Sequence, residues 1–103
     1  MKLIAVTTTV ATLEAARTIA RTLVERRLAA CAEIAPIESF YTWQGKIANE
    51  PEFRIAFKTT DERYPAVEKA IRELHAYELP AIGAVALELA SEPYARWVEE
   101  SCR

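Results

Sequence analysis

The chain opens on a β-branched run, Lys2 to Thr8, whose composition suits a buried strand. Thr12 then stands as an N-cap, with Glu14 in the first turn where a helix dipole favours an acid. From Leu13 to Arg27 the residues Leu13, Ala16, Ala20, Leu23 and Val24 recur at three- and four-residue spacing. That spacing predicts an amphipathic helix with Arg17, Arg21, Glu25 and Arg26 on its solvated face. Ala29 to Trp43 reads as one long strand, broken near Pro36, and Gln44-Gly45 is a two-residue hairpin connection. Glu52 to Lys58 alternates strictly, so Phe53, Ile55 and Phe57 share one sheet face. Thr59-Thr60-Asp61-Glu62 has the spacing of a capping box. Tyr64, Val67, Ile71 and Leu74 then form a second helical stripe, with Pro65 in its first turn and its end near His75. Ala81 to Leu87 is uninterrupted apolar sequence, which predicts a strand buried on both faces or in the middle of a sheet. Ser91-Glu92-Pro93 starts a final short helix carrying Tyr94, Trp97 and Val98.

The predicted order is β-α-β-β-α-β-α. Its first six elements are the split βαβ arrangement of an α+β, ferredoxin-like sandwich, a four-stranded antiparallel sheet with two helices on one face. The expectation is a single domain, 1–103, with the final helix covering part of the other face. A central hairpin of about fourteen residues per arm would project beyond so small a domain and offer unpaired edges. A closed homo-oligomer that pairs those edges is expected.

Composition narrows the function. Thirteen Lys+Arg against fifteen Asp+Glu give a net charge of −2, so there is no global positive field for nucleic acid or anionic lipid. No apolar run reaches the roughly 18 to 20 residues that span a bilayer, and the first residues do not resemble a signal peptide. Neither nucleic acid nor membrane is expected as a partner, and a cytoplasmic location is expected. Cys31 and Cys102 lack metal-loop spacing and are read as reduced thiols, Cys102 as an oxidation liability beside the terminus. No G-x-S-x-G elbow, phosphate loop or RNA-recognition motif is present, so hydrolase, nucleotide-loop and RNA-module readings fall away.

The most chemically loaded segment is His75-Ala76-Tyr77-Glu78, which places the only histidine, a phenol and a carboxylate just past the second helix. Imidazole is a good ligand for Cu(II) or Zn(II), and copies meeting at an interface would complete a site that one chain only begins. A histidinium interacting with the helix C-terminus is the simpler role. Cys31 reads as a small buried hydrophobe, Tyr41 and Trp43 as a packing pair on one strand face, and Lys58 as a solvated cation.

Four ordered blocks resemble the CutA divalent-cation tolerance family. They are Leu28 to Pro36 (Leu-Ala-Ala-Cys-Ala-Glu-Ile-Ala-Pro), Ser39 to Lys46, Phe57 to Thr60 and Leu74 to Pro80, and Pro93 to Trp97 resembles the family's last helix. The resemblance implies a ferredoxin-like homotrimer closed by strand pairing, a link to copper and other divalent metals, and no established catalysis. It also implies that Thr8 stands where some members have a metal-binding cysteine, and that His75 remains of two adjacent histidines, Leu74 replacing the other. Ala76 replaces a usual proline, Ala81 a usual glutamate, and Ile37 follows Pro36 in place of a glycine. The expected function is non-enzymatic metal tolerance with weak Cu(II) or Zn(II) binding, His75 as ligand and Glu78 as helper, and no required cofactor. The alternative is a signalling or binding module resembling the PII-type trimers, holding a small molecule or partner in clefts between subunits. Cys31, Trp43, Lys58 and Tyr77 are its expected lining.

Overall fold

The computed structural model describes residues 2–103. In order, it contains β1 (Leu3–Val10), α1 (Leu13–Glu25), β2 (Cys31–Trp43), β3 (Lys46–Thr60), a 3-10 turn (Asp61–Arg63), α2 (Tyr64–Leu74), β4 (Ile82–Ala86) and α3 (Glu92–Ser101). The four strands form one antiparallel sheet in the order β2-β3-β1-β4. This is the expected ferredoxin-like layout with an extra C-terminal helix.

Period-two alternation divides the sheet between two cores. Ile4, Val6 and Val10 of β1 and Ile55 and Phe57 of β3 face α1 and α2, packing with Ile19, Leu23, Val67 and Ile71. Leu3 points the other way and joins Ala30, Val98 and Cys102 in a second, smaller core under α3. Thr12 caps α1 as predicted, its hydroxyl accepting from the Ala15 N–H, and Ser91 caps α3 through Tyr94.

The hairpin is as long as expected, with thirteen residues in β2 and fifteen in β3. Gln44 and Gly45 both have positive φ, 50° and 78°, the primed-turn geometry whose twist matches the strands. Val10 pairs with Phe53, so Lys46 to Glu52 has β2 on one side and no strand on the other. The molecule is stretched to 44 Å along one axis against 25 and 22 Å on the others.

Several expectations are corrected. Ala81–Leu87 is neither central nor buried on both faces: β4 is the edge strand beside β1, and Val85 is 66% exposed. Among the described residues, Ile82 packs against the main core and the adjoining Leu87 against the second, while Gly83 to Ala86 of this rim stay exposed. β2 is unbroken at Pro36, which pairs with Phe53; β2 is itself an edge strand, where a proline is tolerated. Thr59 is not a cap: it is still in β3, its hydroxyl donates to the carbonyl of Leu28 at 2.7 Å, and a 3-10 turn without a side-chain cap precedes α2. The first strand runs to Val10, and α1 stops at Glu25 because Arg27 turns left-handed at φ 60°. Cys102 is buried, since Arg27 donates to the main-chain oxygens of Glu100 and Arg103 and Arg63 donates to that of Cys102, folding the terminus onto the sheet.

Candidate functional site

The Leu74 to Pro80 segment leaves α2 as a strap, and two side chains pin it. The C-cap N–H of His75 donates to the Ile71 carbonyl, which closes the helix and aims the ring away from it. The ring Nε2 lies 2.8 Å from the Thr9 carbonyl, and Nδ1 accepts the Tyr77 N–H at 3.1 Å. Because Nδ1 accepts, Nε2 carries the proton and donates, which is a neutral imidazole with both nitrogens engaged. The ring therefore serves β1 rather than the C-terminus of its own helix. Glu78 is exposed, and among the described residues no three His, Cys, Asp or Glu side chains gather to hold a metal ion.

The Tyr77 hydroxyl donates to Oε2 of Glu52 at 2.7 Å. Burial, then this hydrogen bond, push its ionisation well above the usual phenol range. Glu52 is a buried carboxylate, 7% exposed, on the β3 face opposite Phe53, Ile55 and Phe57. Two residues earlier on that face, Glu50 accepts from the Tyr41 hydroxyl at 3.4 Å.

A second cluster forms where α3 crosses the sheet. Cys31 and Lys58 are paired across β2 and β3, and the Tyr94 hydroxyl stands 3.9 Å from the Cys31 sulfur. Lys58 holds Glu33 at 2.9 Å, and that bond keeps its ammonium protonated to higher pH against the opposing effect of burial. Tyr94 titrates high through burial and its contact with Cys31.

Of the four expected cleft residues, the protomer brings together only Cys31 and Lys58. Trp43 is half-exposed at the hairpin tip and Tyr77 belongs to the strap. Sequence reasoning missed Glu52, Glu33 and Tyr94. Glu52 sits one position out of phase with the apolar face of β3, which is how a solvent-facing strand residue reads; its partner Tyr77 is distant in sequence.

A cavity of about 360 Å³ lies between the first turns of α1 and the strap, lined mainly by Val10, Ala15, Ile19, Leu74 and Ala76. Of its polar lining, His75, Tyr77 and Thr12 already have partners, and Glu14 and Thr18 of α1 complete the rim.

The family model described as CutA1 divalent ion tolerance protein matches residues 4–101. This chain belongs to that family. The divalent-cation tolerance protein CutA of Archaeoglobus fulgidus is 38% identical over 93 residues, 90% of this chain and 91% of the relative. That of Thermus thermophilus is 39% identical over 94 residues, again covering 90% and 91%. A solved structure named as the periplasmic divalent cation tolerance protein CutA of A. fulgidus superposes with a TM-score of 0.96 at 35% identity, covering 98% of this chain and 99% of that one. As a CutA1 family member the chain keeps the fold in full. Within the described residues no helix is long and apolar enough to cross a membrane.

Proposed function

We propose that this CutA1-family chain serves divalent-cation tolerance as a closed homotrimer, without catalysis and without a required cofactor, and that it binds Cu(II) or Zn(II) weakly through His75 with Glu78 as helper. The observation that carries the reading is the set of uncovered strand surfaces: β4 exposes Val85, and the projecting hairpin exposes Phe40, Trp43 and Ile47, the last by 79%. Such edges and apolar side chains are what a β-sheet protein must cover to remain soluble. Weak metal binding follows from the state of the imidazole. A metal ion takes a nitrogen lone pair, so it must displace either the Tyr77 N–H from Nδ1 or the Thr9 contact and proton from Nε2. The two unpaired cysteines support a cytoplasmic location.

Native mass spectrometry of the reduced protein, with and without stoichiometric Cu(II) or Zn(II), tests the proposal. A species of three times 11.6 kDa that takes up metal weakly, and less of it after His75→Ala, is expected. A monomer at all concentrations overturns the assembly, and metal uptake unaffected by His75→Ala overturns the ligand.

A further inference from the structure

Glu52 is placed where an isolated charge is least tolerated. It is 7% exposed, yet none of the three ion pairs among the described residues includes it. Its hydrogen bond from Tyr77 supplies a donor to Oε2 but no positive charge. Glu50, on the same face of β3 and bonded only to the Tyr41 phenol, adds a second carboxylate instead of relieving the first. A carboxylate withdrawn from water is stabilised by a counter-charge as well as by hydrogen bonds, and the cation that follows on this face of β3, Arg54, is exposed and makes no ion pair with Glu52.

The surroundings indicate where the missing charge comes from. Glu52 begins the stretch of β3 that lies beyond β1, on a ribbon whose exposed Phe40, Trp43 and Ile47 form the surface a second copy covers in the assembly proposed above. Covering the ribbon removes the water still reaching the free Glu52 oxygen. The demand for a cation is therefore strongest in the assembled state.

We infer that a lysine or arginine side chain of a second copy pairs with Glu52, while the Tyr77 hydroxyl holds the other oxygen, so that the site is complete only between protomers. This inference rests on the homotrimer reading. An arginine fits best, because its planar fork can engage Glu52 and reach Glu50 on the same face. The pair gives the hairpin a fixed register against its neighbour. A slip of two residues keeps the same face of each strand toward its neighbour, and a charge pair separates such registers.

The test is the trimer dissociation constant of the full chain by sedimentation equilibrium, for wild type, Glu52→Gln and, as a control on the exposed face of α2, Glu73→Gln. Glu52→Gln is expected to raise dissociation roughly tenfold or more while the separated subunit keeps its circular dichroism. Glu73→Gln and added EDTA are expected to change nothing. A Glu52→Gln trimer as tight as wild type overturns the inference and leaves the trimer standing. A monomeric wild type overturns both. Dissociation by EDTA assigns the counter-charge to a divalent ion and also overturns it. Should Glu52→Gln fail to fold, Glu52→Asp, which keeps the charge but withdraws it by one methylene, is measured with the same expected loss and the same overturning result.

Discussion

His75 Nε2 and the carbonyl oxygen of Thr9, 66 residues apart in sequence, lie 2.8 Å apart and tie the end of α2 to β1. The same ring accepts the Tyr77 N–H, so one side chain fixes both the helix exit and the start of the strap. His75→Ala deprives the partly buried Tyr77 N–H and Thr9 carbonyl of their partners. A loss of about 1–3 kcal/mol is expected in urea unfolding, whether or not metal is present. A stability equal to wild type shows that water replaces the ring at no cost.

Thr8 makes the opposite case. Its hydroxyl is buried with no hydrogen-bond partner, on the α-helical face of β1 between Ile55 and Ile82. Thr8→Val keeps the shape and β-branching and removes the orphaned hydroxyl. A gain of about 1–2 kcal/mol in thermal or urea unfolding is expected. A loss of stability shows that the hydroxyl has a partner in solution.

The parts of the fold that local chemistry decides were legible in the sequence. Gln44-Gly45 between alternating strands specifies a hairpin, Thr12 and Ser91 specify caps, and Phe53, Ile55 and Phe57 specify a face. What distant residues decide was not legible. Ile82 to Ala86 is equally apolar in the middle of a sheet or on a rim that another chain covers, so its place depended on the strand order. Glu52 finds its hydrogen-bond partner in Tyr77, 25 residues further along, and the terminus carrying Cys102 is tied down by Arg27 and Arg63, far upstream. His75 was legible as special, but its bond to a carbonyl on β1 depends on where α2 ends relative to the sheet.

The turn of the hairpin gives a third prediction. Gly45 adopts φ 78°, yet a Cβ added there meets nothing within 4 Å. The cost of Gly45→Ala is therefore conformational strain without steric clash, about 1 kcal/mol. Gln44, also left-handed, is expected to stabilise the turn by a few tenths of a kcal/mol when replaced by Asn. Paired urea titrations of the two variants check both signs.

All four tyrosines are held above the ordinary phenol value of 10.0: Tyr41, Tyr64, Tyr77 and Tyr94 are each raised first by burial and then by acidic neighbours or, for Tyr94, by Cys31. A raised folded-state value means that the unfolded chain loses these protons first. The stabilisation is complete below the unfolded value and is lost as pH rises through the folded ones. Phenolate absorbance is expected to lag in the native protein relative to the denatured one, with Tyr77 ionising last. Unfolding is expected to accompany that last step. Tyr77→Phe removes it, and a wild-type titration that matches the denatured chain refutes the buried Tyr77–Glu52 contact.

Arg27 combines a strained backbone with a useful side chain. At φ 60° it occupies the position after α1 where glycine is preferred, yet its guanidinium binds the main-chain oxygens of Arg103 at 2.6 Å and Glu100 at 2.9 Å. The positive charge lies at the C-terminal end of α3, where the helix dipole favours it. Arg27→Ala loses both hydrogen bonds and keeps the left-handed strain, so a loss of about 1–3 kcal/mol is expected. Arg27→Gly loses the same bonds but relieves the backbone, and its loss is expected to be smaller by about 1 kcal/mol. Hydrogen exchange separates the two effects: α3 is expected to lose protection equally in both variants, while global stability differs. Unchanged protection of α3 in Arg27→Ala excludes the clasp, because α3 is then held by its apolar core around Val98 and by the Arg63 bond to Cys102.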